Sequence, residues 1–157
     1  MLELMTIDEI IGHLTTLDGV LTLRPSPGDG SPEIAWGDSF FYYAPDGEVP
    51  ARTQPFATIV TKNYPGDDRS QLDRPGSFRL NISVGPEVFR EWTGRNPRDA
   101  KSVEDDPSAR DTVIAHPVYD TVGWLAVVDP GTRTTPTIRD LLRIAYDRAR
   151  SRTEKRR

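Results

Sequence analysis

The chain has 157 residues, 36% of them hydrophobic and 28% charged, with a net charge of −4 and no cysteine. That length suffices for one domain with its own core, and the missing cysteines exclude disulfides, thiolate zinc sites and cysteine nucleophiles. No apolar run approaches the roughly 20 residues of a membrane helix. No basic-then-apolar leader opens the chain, so a cytoplasmic protein is expected.

The charge is unevenly spread. Arg139–Arg157 holds eight basic and three acidic residues, a net +5, which leaves −9 on the other 138 residues. An acidic body repels phosphate backbones and argues against nucleic acid as the main partner. The basic end suits a helix C-terminus without any partner, and residues 148–157 are expected to fray.

In chain order, Thr6 and Glu9 have capping-box spacing. Ile7, Ile10, Ile11, Leu14 and Leu17 follow on one helical face, and Gly19 offers a left-handed stop. Val20–Leu23 reads as a short strand and Arg24–Pro32 as a loop. Glu33–Trp36, Gly37-Asp38 and Ser39–Ala44 read as a hairpin with a tight turn. Within it, the block Phe40, Phe41, Tyr42, Tyr43 must send alternate rings to opposite faces, one into the core and one toward a ligand or beneath the loop Pro45–Gln54. Phe56–Lys62 is a β-branched strand, and Asn63–Ser77 a loop with two Pro-Gly turns. Its aspartates lack the spacing of a calcium loop and have Arg69 and Arg74 beside them, so no metal is expected.

The clearest strand is Phe78–Val84. Phe78, Leu80, Ile82 and Val84 alternate with Arg79, Asn81 and Ser83, which predicts an apolar face over a core and a polar face toward water or a ligand. Pro86 opens a helix that Gly94 ends. Arg95–Asp111 reads as an exposed connection, expected to be the most mobile part. After Thr112–Val118 comes Gly123–Val128, apolar on both faces and therefore a doubly covered strand. Thr135 and Pro136 open a final helix with an inward stripe of Ile138, Leu141, Leu142, Ala145 and Ala149.

Chemistry is sparse. His116 stands before a buried strand, where it can act as a base or simply fix the strand's entry by one hydrogen bond. Gly28-Asp29-Gly30 precedes no helix, so no phosphate loop is present. Arg79, Asn81 and Ser83, joined by Lys62, place a cation, an amide and a hydroxyl side by side, a set that suits a carboxylate or phosphate. An ordinary solvated sheet face has the same pattern.

The blocks Ile34–Gly47, Pro55–Gly85 and His116–Tyr119 with Gly123–Val128 resemble an uncharacterised actinobacterial single-domain family. More distantly, the order of elements is similar to the YjbR/MmcQ-like proteins, with Tyr119, Trp124 and the last helix as matching features. That likeness implies a CyaY-like α+β fold and a double-wing DNA-binding role, although Asp120 and Thr121 stand where basic residues belong.

The expectation is one α+β domain over residues 1–157: an antiparallel sheet of five or six strands with the first and last helices on one face. The leading functional reading is a non-enzymatic module, monomer or homodimer, that binds a small molecule or a protein through Lys62, Arg79, Asn81, Ser83 and Tyr119, with no cofactor. The alternatives are a nucleic-acid-binding protein and a hydrolase or isomerase dependent on His116.

Overall fold

The computed structural model describes residues 5–99 and 106–155. Six strands form one antiparallel sheet: β1 (Val20–Leu23), β2 (Ser39–Tyr43), β3 (Ala57–Val60), β4 (Arg79–Ser83), β5 (Val113–Ala115) and β6 (Trp124–Val128), in the spatial order β1-β2-β3-β4-β6-β5. Three α-helices join them: α1 (Ile7–Thr15), α2 (Pro86–Thr93) and α3 (Thr135–Lys155). The expected α+β class and antiparallel sheet hold.

The helices begin and end for local reasons. Thr6 and Glu9 complete the capping box of α1. Pro86 opens α2, and Gly94, at φ 79°, closes it with a bond to the Arg90 carbonyl. At the start of α3 the donors are met from a distance. The Asp111 carboxylate accepts from the backbone N–H groups of Gly131, Arg133 and Thr134 and from the Thr134 hydroxyl. Burial opposes its ionisation, but these bonds prevail and hold the carboxyl below the usual range.

Register divides the sheet into two faces. Phe41, Ala57, Ile82 and Leu125 lie in one cross-strand row, and Ile59, Leu80 and Val127 in the next. Together with Ile10 and Leu14 of α1, Phe89 of α2, and Ile138, Leu141, Leu142, Ala145 and Tyr146 of α3, they form one buried core. The terminal helices thus share a face, as the stripes predicted. The Tyr146 ring meets Phe56 and Tyr43 edge-on, and its hydroxyl donates to the Asp18 carbonyl. Burying such side chains stabilises the fold by about 1.5–3 kcal/mol each.

Three expectations change. Glu33–Trp36 is not the first arm of a hairpin: Glu33–Ala35 forms a 3-10 turn, Gly37 N–H bonds back to Pro25, and β2 pairs with β1 and β3. Asp38 is drawn inward instead of sitting in a turn, because its carboxylate takes donors from beyond β3. The basic end expected to fray continues as helix through Lys155. Arg143–Asp147 and Arg150–Glu154 pairs brace it, and Arg148 donates to the Ser83 carbonyl. Within the connection Arg95–Asp111, positions 100–105 lie outside the described residues, as do 156 and 157.

Candidate functional site

The second face of the sheet carries the polar residues, and it has a closed part and a half-open part. Register sets Thr58 opposite Asn81, and Val60 opposite Arg79, with Ala126 and Val128 beyond them on β6. The alternation read from the sequence is right, but its polar side does not meet water. Arg79 is 1% exposed and Asn81 3%. The loop between β3 and β4 folds back over them, and Leu72 packs with Val60 and Val128 as a small second core.

Beneath that loop Arg79 is held from all sides. Its Nη1 donates to Asp67 Oδ1 at 2.9 Å and Ser70 Oγ at 3.0 Å, its Nη2 to Asp67 Oδ2 at 2.6 Å, and its Nε to Asn81 Oδ1 at 2.7 Å. Asn81 Nδ2 in turn donates to Thr58 Oγ1. This is a two-pronged guanidinium–carboxylate pair, the strongest form of the contact. Burial resists ionisation of Asp67, yet the Arg79 bonds and charge keep its carboxyl below the usual range. Arg69 ties the same loop to the neighbouring turn by donating to the Pro117 carbonyl at 2.7 Å. Arg79 and Asn81 are thus structural partners of the loop and are closed to a carboxylate or phosphate from outside.

His116 belongs to this cluster. Its ring is 1% exposed, and Nδ1 accepts from the Val118 and Tyr119 N–H groups at 3.0 and 2.9 Å. The proton of the neutral ring must then sit on Nε2, so the 3.2 Å approach of Arg79 Nη2 sets donor against donor. Burial first, and the Arg79 charge second, push the pKa down to about 3. A second proton on Nδ1 would meet the two amide hydrogens. The ring's one lone pair, on Nδ1, is thus taken up by two backbone N–H groups, which fixes the turn at Val118 and Tyr119.

Lys62 lies in a separate cluster beyond the end of β3. Its Nζ donates to Asp38 Oδ1 at 2.9 Å and to the Trp36 carbonyl at 2.8 Å, and its side chain is 33% exposed. Asp38 also accepts from the Thr61 N–H and hydroxyl and from the Tyr64 hydroxyl. Burial and the Asp38 bond push the Tyr64 phenol well above its ordinary value. An open groove of about 420 Å³ runs past this cluster, lined by Arg24, Pro25, Ser26, Pro27, Gly37 and Asp38.

The rest of the second face is half-open. Phe40, Tyr42, Thr58, Ser83 and Trp124 are partly exposed, and the three aromatic residues belong to neither core. Phe40 pairs with Thr58 and Ser83 with Trp124, so a polar centre on β3 and β4 lies between aromatic flanks on β2 and β6. Three strand spacings put those flanks about 14 Å apart. The Ser83 hydroxyl, the Tyr42 hydroxyl and the Trp124 indole N–H form no hydrogen bond among the described residues. At one end Tyr119 is 55% and Val122 63% exposed. The Tyr119 ring packs on His116 with centroids 4.9 Å apart.

Of the residues named from the sequence, Arg79, Asn81, His116 and Tyr119 are brought together, Ser83 lies two residues along the same face, and Lys62 stands apart. Asp67, Ser70 and Thr58 were missed as partners because each is an ordinary loop or strand residue until the loop folds over. Among the described residues no group of three or more histidine, aspartate or glutamate side chains could hold a metal, and no helix is long and apolar enough to cross a membrane. Residues 5–157 match one family, described as a family of unknown function (DUF6194). Neither the curated proteins nor the solved structures gave a match.

Proposed function

Since the chain belongs to this family of unknown function, we propose from its geometry that it is a binding module working by recognition rather than catalysis, with the half-open second face as its binding surface. The observation that carries this reading is the placement of Phe40, Tyr42 and Trp124, partly exposed and outside both cores, around the Thr58 and Ser83 hydroxyls of β3 and β4. Large rings left partly open beside polar groups mark recognition sites.

The ligand class follows from charge. Both cations that the sequence offered to this face are consumed, Arg79 by Asp67 and Lys62 by Asp38. What remains on the strands of the half-open part is neutral: the Ser83, Thr58 and Tyr42 hydroxyls, the Trp124 N–H and the ring faces. These suit a small uncharged molecule that presents a ring face to an aromatic side chain and hydroxyl or amide groups to the polar centre. They do not suit the carboxylate or phosphate expected from the sequence. Nucleic acid is the less favoured reading: Arg143 and Arg150 of α3 are paired on the helix and Arg148 is bonded to the Ser83 carbonyl, and the remaining exposed cations Arg139, Arg152 and Lys155 belong to a protein of net charge −4.

The test is a ligand screen of neutral and anionic metabolites read by Trp fluorescence and by chemical shifts. Neutral hits should move Trp124, Thr58 and Ser83, and Trp124→Ala should weaken them at least about tenfold, the scale of losing one stacked ring. Hits confined to anions, or shifts that avoid β3, β4 and β6, would overturn the reading.

A further inference from the structure

Strand β1 ends the sheet on one side, and its outer edge carries backbone groups with no partner. The bond from Ala44 N–H to the Gly19 carbonyl sets the phase of the β1–β2 ladder. Residues 19, 21 and 23 therefore turn their backbone groups toward β2, and Val20, Thr22 and Arg24 turn theirs outward. Val20 N–H reaches the Leu17 carbonyl. The Val20 carbonyl, both Thr22 groups and the Arg24 N–H are unbonded among the described residues. The Thr22 hydroxyl is also buried and without a partner.

Apart from its shortness, the strand has none of the usual protection of an edge. Val-Leu-Thr-Leu contains no charge, proline or bulge, and Leu23 is 40% exposed. Its flanks carry opposite charges, Asp18 before it and Arg24 after it. Both are exposed, and neither is in an ion pair among the described residues.

We infer that β1 pairs antiparallel with β1 of a second copy, about a two-fold axis through Thr22. This arrangement uses the free groups and no others. Each Thr22 exchanges N–H and C=O with its counterpart, and each Arg24 N–H meets the other copy's Val20 carbonyl. The two Thr22 side chains become direct cross-strand neighbours on the Phe41 side of the sheet. Charge selects the antiparallel sense: it brings each Arg24 toward the partner's Asp18 end, whereas parallel pairing would set like charges side by side. Two six-stranded sheets then join edge to edge. With only four residues per strand the contact is small, so the dimer forms at high protein concentration.

Sedimentation of the full chain from about 10 μM to about 1 mM tests this, since a weak two-fold contact responds to concentration by mass action. The dimer fraction should rise, with the Thr22 and Arg24 amides gaining protection from hydrogen exchange in step. Thr22→Pro removes an outward N–H that the monomer does not use and should weaken association at least about tenfold. Should that variant fail to fold, charge provides the second arm: Arg24→Asp should weaken the dimer and the double swap Asp18→Arg/Arg24→Asp should restore it. A chain that stays monomeric throughout, or a dimer indifferent to these substitutions, overturns the inference.

Discussion

Replacing Arg79 by methionine keeps most of the side-chain volume and removes the charge on which the β3–β4 loop is fastened. The loss is calculable in outline. Arg79 is 1% exposed and gives four hydrogen bonds, two to Asp67 and one each to Ser70 and Asn81. Removing one partner of a buried ion pair destabilises by about 3–5 kcal/mol, because the other partner stays desolvated and unpaired. At a urea slope of about 2 kcal/mol/M, that lowers the unfolding midpoint by roughly 1.5–2.5 M. Urea titration followed by Trp fluorescence measures it. Amide exchange should rise across the loop, including at Leu72, whose N–H bonds Asn63. Adding Asp67→Leu should recover part of the loss, since the stranded carboxylate is then gone. A loss below about 1 kcal/mol in the single variant would refute the reasoning, placing the pair in the class of exposed bridges.

Three further outcomes follow from the same geometry. His116 has a folded-state pKa of about 3, below its unfolded value near 6.5. Its contribution is therefore complete above pH 6.5 and is lost as pH falls toward 3, by up to about 1.4 kcal/mol per unit. The imidazole NMR signals should not titrate above pH 5, and His116→Gln should flatten the acid limb of the stability curve. Gly85→Ala should destabilise by about 1–3 kcal/mol in thermal unfolding, as φ is +87° there. A Cβ would also stand 2.6 Å from the Arg148 guanidinium carbon, so Arg148→Ala should relieve part of the loss. Asp111→Ala removes the acceptor for three backbone N–H groups at the start of α3 and should cost about 1–3 kcal/mol, whereas Asp111→Asn, which keeps an oxygen there, should cost less in the same assay.

Local patterns carried the fold. The Thr6–Glu9 box, Pro86 and Gly94 each act within one helical turn, and the alternation of Phe78–Val84 decides which side chains share a face without reference to any other segment. What could not be read was what lies above that face. Arg79 next to apolar neighbours looks the same whether water or a loop covers it. The answer rests on Asp67, twelve residues upstream, and on His116, 37 residues downstream. Asp38 misled for the same reason: Gly37-Asp38 has the composition of a tight turn, but its carboxylate is committed to Thr61, Lys62 and Tyr64. Of the binding candidates, Ser83 and Tyr119 stay accessible, and the aromatic flanks were legible only as a block whose rings must alternate.

The division of the second face into a closed, charge-matched part and an open, neutral part is measured most directly by mapping ligands on the isotope-labelled protein. Neutral ring-bearing compounds should shift the Trp124 indole and the Thr58 and Ser83 amides while the Arg79 guanidinium signal stays still. Anions that displace Asp67 and move the Arg79 signal would contradict the account.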